Sequence, residues 1–156
     1  MSARSGPLRP GEPAPDFTVT SVTGGKVDRA SLLGRRTVLY FYPRANSAGC
    51  SLEAREFARH HAEFAAAGVT VVGVSVDSVD SQRRFQDACN LPFELVADTN
   101  GELSRRFGVL GRLGLARRTT FLIGPTGTVT DVVRTWRPRQ HVRAALERLV
   151  GPPPPP

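Results

Sequence analysis

Two cysteines, at positions 50 and 89 of a 156-residue chain, are its only thiols, and their settings differ. Cys50 lies in the stretch from Thr37 to Phe64, TVLYFYPRANSAGCSLEAREFARHHAEF, which reads as a strand, a loop and an amphipathic helix. The run Val38, Leu39, Tyr40, Phe41, Tyr42 is too continuously apolar for a strand with one wet face, so it predicts a place in the middle of a sheet covered on both sides. Pro43 ends the run, and residues 44–49 are mostly small or polar. From Ser51 onward Leu52, Phe57, Ala58, His61, Phe64 and Ala65 roughly follow helical spacing. A thiol therefore sits where a helix begins.

The first N–H groups of a helix have no intrahelical partner and favour an anion in front of them. A free thiol, with a pKa near about 8.5, is only a few per cent ionised at neutral pH. Making it mostly thiolate takes about 3.4 kcal/mol of differential stabilisation, and a helix terminus supplies only about 0.3–2 kcal/mol of that. A cation about 4 Å away in a half-buried site adds on the order of 4 kcal/mol. A reactive Cys50 therefore demands an arginine close to it in space, and the competing reading is a cysteine that merely packs.

The length fits one domain that buries about two-thirds of its unfolded surface. Two cysteines are too few for a disulfide scaffold. The opening MSARSGPLRP has no apolar segment of the kind a secretory signal carries, and no apolar run approaches the roughly 20 residues of a membrane span. The expectation is a cytoplasmic protein without a membrane partner, in a compartment that keeps thiols reduced. The formal charge of +7 comes almost wholly from arginine, Lys26 being the single lysine. The arginines are interspersed with acids, and the nearest thing to a cluster is Arg112, Arg117 and Arg118 with Arg134, Arg137 and Arg139. No basic run is interleaved with exposed aromatics, so a solvated face is expected rather than a nucleic-acid surface. His60 and His61 point about 100° apart on a helix and His141 lies in the last helix, so neither a metal nor a bound cofactor is expected.

The elements that must position Cys50 follow in order. Pro15–Ser21 reads as a strand turned by Gly24 and Gly25. After the Cys50 helix, Val69–Val76 is a second buried strand. A helix from about Val79 to Asn90 has Phe85, Ala88 and Cys89 on one face. Leu91–Ala97 gives a short strand and Gly101–Phe107 a short helix. Thr119–Ile123 is a third apolar strand, turned by Pro125, Thr126 and Gly127 into a hairpin partner over Thr128–Trp136. Pro138 opens a last helix with Val142, Leu146 and Leu149 as its apolar stripe. Residues 1–9 read as a flexible start, 10–150 as the domain, and 151–156 as a polyproline tail. The order βαβ, further α and β, then a hairpin and a helix is the thioredoxin-like pattern: an α/β three-layer sandwich with a mixed central sheet flanked by helices.

Within PRANSAGC, Pro43, Ser47 and Cys50 stand in the spacing P-x-x-x-T/S-x-x-C, which resembles the peroxiredoxin signature. GEPAPDF near the start, YFYP before the loop, Glu53 after the cysteine, LPFELVAD at 91–98 and RTTFLIGPTG at 118–127 are similar to the bacterioferritin comigratory protein, or peroxiredoxin Q, branch of the AhpC/TSA-like proteins. The similarity covers residues 9–150 and involves several separated motifs in order.

The resemblance implies a thiol-dependent peroxidase that reduces hydrogen peroxide and organic hydroperoxides through a sulfenic acid at Cys50. Pro43 would shield that cysteine from water, Ser47 would hold the peroxide through its hydroxyl, and Arg118 would match the arginine that begins the R-x-T-F strand. Arg117 is its neighbour and is read as a surface residue. Electrons would come from thioredoxin or another small-thiol donor, to a monomer or weak homodimer. The rival reading is a non-enzymatic redox sensor or thiol-exchange module on the same fold. Two departures stand out: Ser47 replaces the first cysteine of the thioredoxin C-x-x-C pattern, and Arg55 stands where many branch members carry a resolving cysteine. Cys89 is the remaining candidate for that role. The matching position in some relatives falls about one turn earlier, at Phe85, so resolution by Cys89, core packing of Cys89, and a one-cysteine cycle with an external thiol all stay open.

Overall fold

The strand that delivers the Cys50 loop lies at the centre of the molecule. The computed structural model describes residues 6–151. Strands β1 (Thr18–Thr20) and β2 (Lys26–Asp28) come first, followed by a 3₁₀ turn over Ala30–Leu32. Next are β3 (Arg36–Phe41), helices α1 (Ala48–Arg59) and α2 (His61–Ala66), β4 (Val69–Ser75), α3 (Val79–Ala88), β5 (Glu94–Ala97) and α4 (Glu102–Arg106). The chain ends in β6 (Thr119–Ile123), β7 (Val129–Val133), α5 (Pro138–Ala145) and a π-helical turn over Leu146–Val150.

Five strands form one mixed sheet in the order β5-β4-β3-β6-β7. The α1–α2 and α3 crossovers leave β3, β4 and β5 parallel, while the Pro125–Gly127 turn makes β7 antiparallel to β6. In β3, Val38 through Phe41 are all at most 1% exposed, which answers the continuous apolar run. Alternation then divides the strand. Val38 and Tyr40, continued by Tyr42, face a cluster with Phe57 and Phe64 of α1 and α2, Phe85 of α3, and Val142 and Ala145 of α5. Leu39 and Phe41 face a second cluster with Leu32, Leu103, Phe107, Phe121, Ile123 and Val129. Helices α1, α2, α3 and α5 thus cover one face, and α4, the 3₁₀ turn and the N-terminal segment cover the other. This is the thioredoxin-like three-layer sandwich.

Several expectations shift. The helix begins at Ala48, which puts Cys50 in its first turn as expected, but it breaks at His60 into two helices. Ala65 is exposed, and Phe64 alone anchors the second helix. Ala88 is also exposed, and the buried residues of α3 are Gln82 and Phe85, because a polar side chain with internal partners occupies the inward position. The first strand is shorter than Pro15–Ser21 and pairs only with β2, in a hairpin outside the main sheet. Packing reaches back before position 10: Leu8 is buried and its N–H donates to Phe107 O at 3.1 Å. Residues 1–5 and the polyproline segment Pro152–Pro156 lie outside the described residues. Among the described residues, no helix is long and apolar enough to cross a membrane.

Candidate active site

The strand register brings the expected residues together. Phe41, the last residue of β3, pairs with Thr119, the first of β6. Arg118 and the segment leaving β3 are therefore neighbours at one end of the sheet. After Pro43, which is half-buried, the chain makes a tight turn in which Ser47 N–H donates to Arg44 O at 3.4 Å. Asn46 sits inside that turn with φ 66°, a left-handed conformation that asparagine tolerates better than most residues. The turn is held from outside: Ala45 N–H donates to Asp77 Oδ2 at 2.7 Å, and Ser75 Oγ donates to the same oxygen at 2.5 Å.

Ser47 occupies the N-cap of α1 with extended backbone, but its side chain does not cap the helix. Its hydroxyl donates to Arg44 O at 2.8 Å instead. The early N–H groups of α1, including those of Gly49 and Cys50, therefore keep the orphan character of a helix start. Cys50 is 1% exposed and packs in the cluster with Tyr42 and Phe57.

Arg118 supplies the demanded cation. Its Nη2 donates to Cys50 Sγ at 3.2 Å, and its Nη1 donates to Glu53 Oε1 at 2.6 Å. Burial by itself disfavours the guanidinium's charge, but Glu53 and Cys50 more than offset that and hold it above its usual range. Arg117, the neighbour, is exposed, as expected of a surface residue. A Cβ at position 49 would lie 3.2 Å from Arg118 Nη2, so any side chain there would make the guanidinium give by a few tenths of an ångström.

Three features of the site were not legible beforehand. The bare Cα of Gly49, as distinct from its N–H, is one. Glu53 is the second: it appeared in the motif but with no role, and it is 0% exposed. Burial pushes its carboxyl up to about 8, against the pull of the Arg118 charge. Its spacing gives the missed signal, since a carboxylate three residues after Cys50 shares the inward face with Ala54 and Phe57. His141 is the third, weighed only as a metal ligand. It too is 0% exposed, with Nδ1 2.8 Å from Thr120 Oγ1 and Nε2 2.5 Å from Thr135 O. Burial pulls it down to about 4.

Cys89 is the C-cap of α3 and half-buried, packed against the same cluster as Cys50, and both cysteines are free. Arg55 is exposed on α1. Among the described residues no three His, Cys, Asp or Glu side chains gather as a metal site requires. A small cleft of about 90 Å³ adjoins Arg118, with Arg117, Thr119 and Arg134 in its wall. Two larger clefts, of about 530 and 580 Å³, contain none of the expected site residues.

A geometry of thiol, guanidinium and helix start can stabilise a thiolate and the negative charge that develops when it attacks an electrophile. Comparison with known proteins agrees. The AhpC/TSA family model matches residues 10–132. Peroxiredoxin Bcp of Bacillus subtilis is 34% identical over 147 residues, covering 89% of this chain and 93% of that one. Among solved structures, peroxidoxin BcpB from Mycobacterium tuberculosis matches with a TM-score of 0.84 and 34% identity, covering 91% of this chain and 96% of that one. The bacterioferritin comigratory protein of Xanthomonas campestris, described for its alkyl peroxide reduction activity, matches with a TM-score of 0.80 and 31% identity, covering 85% and 89%.

Proposed function

The chain belongs to the AhpC/TSA family of peroxiredoxins and is a thiol-dependent peroxidase, and from that premise we propose that Cys50 is its peroxidatic nucleophile, served by Arg118, Ser47 and Pro43. The observation that carries this reading is the 3.2 Å contact from Arg118 Nη2 to Cys50 Sγ, at a helix start. The same contact favours an enzyme over a passive redox sensor, because it aims a fixed charge at the atom that must react.

In the first step the thiolate attacks the peroxide oxygen that bears hydrogen. An S–O bond forms, the O–O bond breaks, and Cys50 becomes a sulfenic acid. The departing oxygen takes the electron pair and then a proton, leaving as water or an alcohol. Its growing charge is met by Arg118 and the N–H groups of Gly49 and Cys50. Ser47 already donates its hydroxyl hydrogen to Arg44 O, so its lone pairs are free to accept from the peroxide O–H. Pro43, half-buried at the loop's start, limits water at the sulfur.

Hydrogen peroxide and organic hydroperoxides are the proposed substrates, and the alkyl peroxide activity of the Xanthomonas relative supports the second class. Thioredoxin or another small thiol returns the electrons. The protein acts in the cytoplasm as a monomer or weak homodimer, with residues 10–150 as the working domain. The sulfenic acid is cleared by a second thiol, either Cys89 or the external donor. For Cys89 to take part, its Cα and that of Cys50 must come within about 7 Å, which calls for local opening of the first turn of α1 or the end of α3.

Stopped-flow oxidation by peroxide tests the reading. Cys50→Ser should abolish the reaction, and Arg118→Ala should slow it by about 10²–10³. An unchanged rate in Arg118→Ala would remove Arg118 from the site. Mass spectrometry after one equivalent of peroxide separates an intramolecular Cys50–Cys89 disulfide from a lone sulfenic acid.

A further inference from the structure

Glu53 and His141 face one another in a way that leaves a hydrogen unaccounted for. Glu53 Oε1 accepts from Arg118, but Oε2 has no hydrogen-bond partner although it is buried. His141 Nδ1 stands 3.8 Å from that oxygen. The other ring nitrogen, Nε2, lies 2.5 Å from the Thr135 carbonyl, which can only accept, so Nε2 carries the ring hydrogen. A neutral imidazole then leaves Nδ1 as an acceptor. Thr120 Oγ1, 2.8 Å away, can donate to Nδ1, so the buried acceptor left without a hydrogen is Oε2, and an ionised Oε2 there is costly. One additional proton, on the carboxyl or on the ring, removes that cost. The Thr120 hydroxyl can serve either state, because it both donates and accepts.

We infer that Glu53 and His141 form a buried pair that keeps one proton at neutral pH and thereby sets how fully the Arg118 guanidinium is left to the Cys50 sulfur. The inference rests on the reading of Cys50 as the reacting thiol. The titratable and charged groups that face the pair are Cys50 on α1, Arg118 ahead of β6 and Tyr40 on β3, with Tyr42 next to Cys50. Both phenols are held protonated, mainly by burial. With the carboxyl pushed up to about 8 and the imidazole down to about 4, both by burial, the shared proton rests on Glu53. Glu53 is then a neutral acceptor that orients Arg118 without neutralising it. Loss of the proton turns Glu53 into an anion 2.6 Å from Nη1, and the sulfur then faces a nearly neutral ion pair. Glu53 and His141 are thus positioning residues that act through Arg118.

An ordinary thiol reacts faster as pH rises, until it is fully ionised. Here the rate constant for oxidation of Cys50 by hydrogen peroxide should fall by about tenfold above pH 8. The direct test needs no turnover. Infrared difference spectra between wild type and Glu53→Gln should show a protonated carboxyl band at neutral pH that is lost near pH 8. The ¹⁵Nδ1 resonance of His141 in the wild type should move with the same midpoint. Glu53→Gln, whose amide can accept from Arg118 and donate to His141, should lack the alkaline fall in rate. Absence of the carboxyl band at neutral pH overturns the inference, and so does a His141 resonance that stays fixed while the carboxyl titrates. A band that is present while Cys50→Ser still consumes peroxide at the wild-type rate would instead refute the assignment of Cys50, so the two failures are distinguishable.

Discussion

The two faces of the central sheet use the same strand for opposite ends. Behind Leu39 and Phe41 the filling is hydrocarbon. Phe41, Phe107 and Phe121 form a cluster with ring centroids 5.1–5.7 Å apart. The buried carboxylate on that side, Asp98, is fully engaged: it accepts from Leu103 N at 3.0 Å and from Ser104 N and Oγ at 2.8 and 2.7 Å, and so closes the start of α4. Behind Tyr40 and Tyr42 the rings are interleaved with Cys50, Glu53, Gln82, Thr120 and His141, all nearly or wholly buried. Here the unpartnered atoms, Tyr40 Oη and Glu53 Oε2, belong to the cluster around the thiol, whereas on the Leu39 side the unpartnered Thr37 Oγ1 lies near the start of β3, away from Cys50. One face supplies stability from packing, and the other holds poorly compensated polar groups that only a stable scaffold can keep in place.

That contrast can be broken first from the hydrocarbon side. Phe121→Ala should lower unfolding stability by about 3–5 kcal/mol, measured by denaturant titration. Peroxide oxidation of Cys50 in the protein that remains folded should be nearly unchanged. A parallel loss of rate would mean the two faces are not separable. The next effect comes from the polar face. Glu53 in the folded chain holds a proton that the unfolded chain releases above pH 4.5, so its contribution to stability declines as pH rises toward about 8. His141 opposes this at lower pH, because its depressed value adds stability as pH rises from about 4 to 6.5. Above pH 6.5 only the first slope remains. Wild type should lose up to about 2 kcal/mol relative to Glu53→Gln between pH 6.5 and 8, read from paired denaturation curves.

Gly49→Ala sharpens the distinction between stability and reactivity at one position. Alanine favours the helix by about 1 kcal/mol, but its methyl would press on Arg118 Nη2 from 3.2 Å. The variant should be at least as stable as wild type while reacting about tenfold more slowly. The smallest effect is expected for Tyr40→Phe. Removal of a buried hydroxyl without a partner should leave stability within about 1 kcal/mol of wild type, or raise it. A large loss there would show that the phenol has an unseen role.

Strands β3, β4 and β6 were legible because unbroken apolar runs mark strands buried on both faces, and Pro138 marked the start of α5 because proline fits only the first helical turn. Cys50 and Arg118 were legible because the electrostatic need of one predicted the other, with the family motif giving the register. The break at His60 was not, since periodicity runs through it with Phe64 still inward. Gln82, Glu53 and His141 were hidden for a common reason. A polar residue on a buried face looks like an interruption of the apolar pattern, and only its partners in space reveal what it does. Ala88 shows the converse, an apolar residue at plausible spacing that faces solvent.

The bond from Ala45 N–H to Asp77 couples the loop before Cys50 to the turn that launches α3. Peeling the reactive turn away from the protein must strain or sever that tether, and Asp77 lies at the opposite end of the α3 segment from Cys89. The loop before Cys50 and the segment that ends at Cys89 therefore share one fixed point, at Asp77.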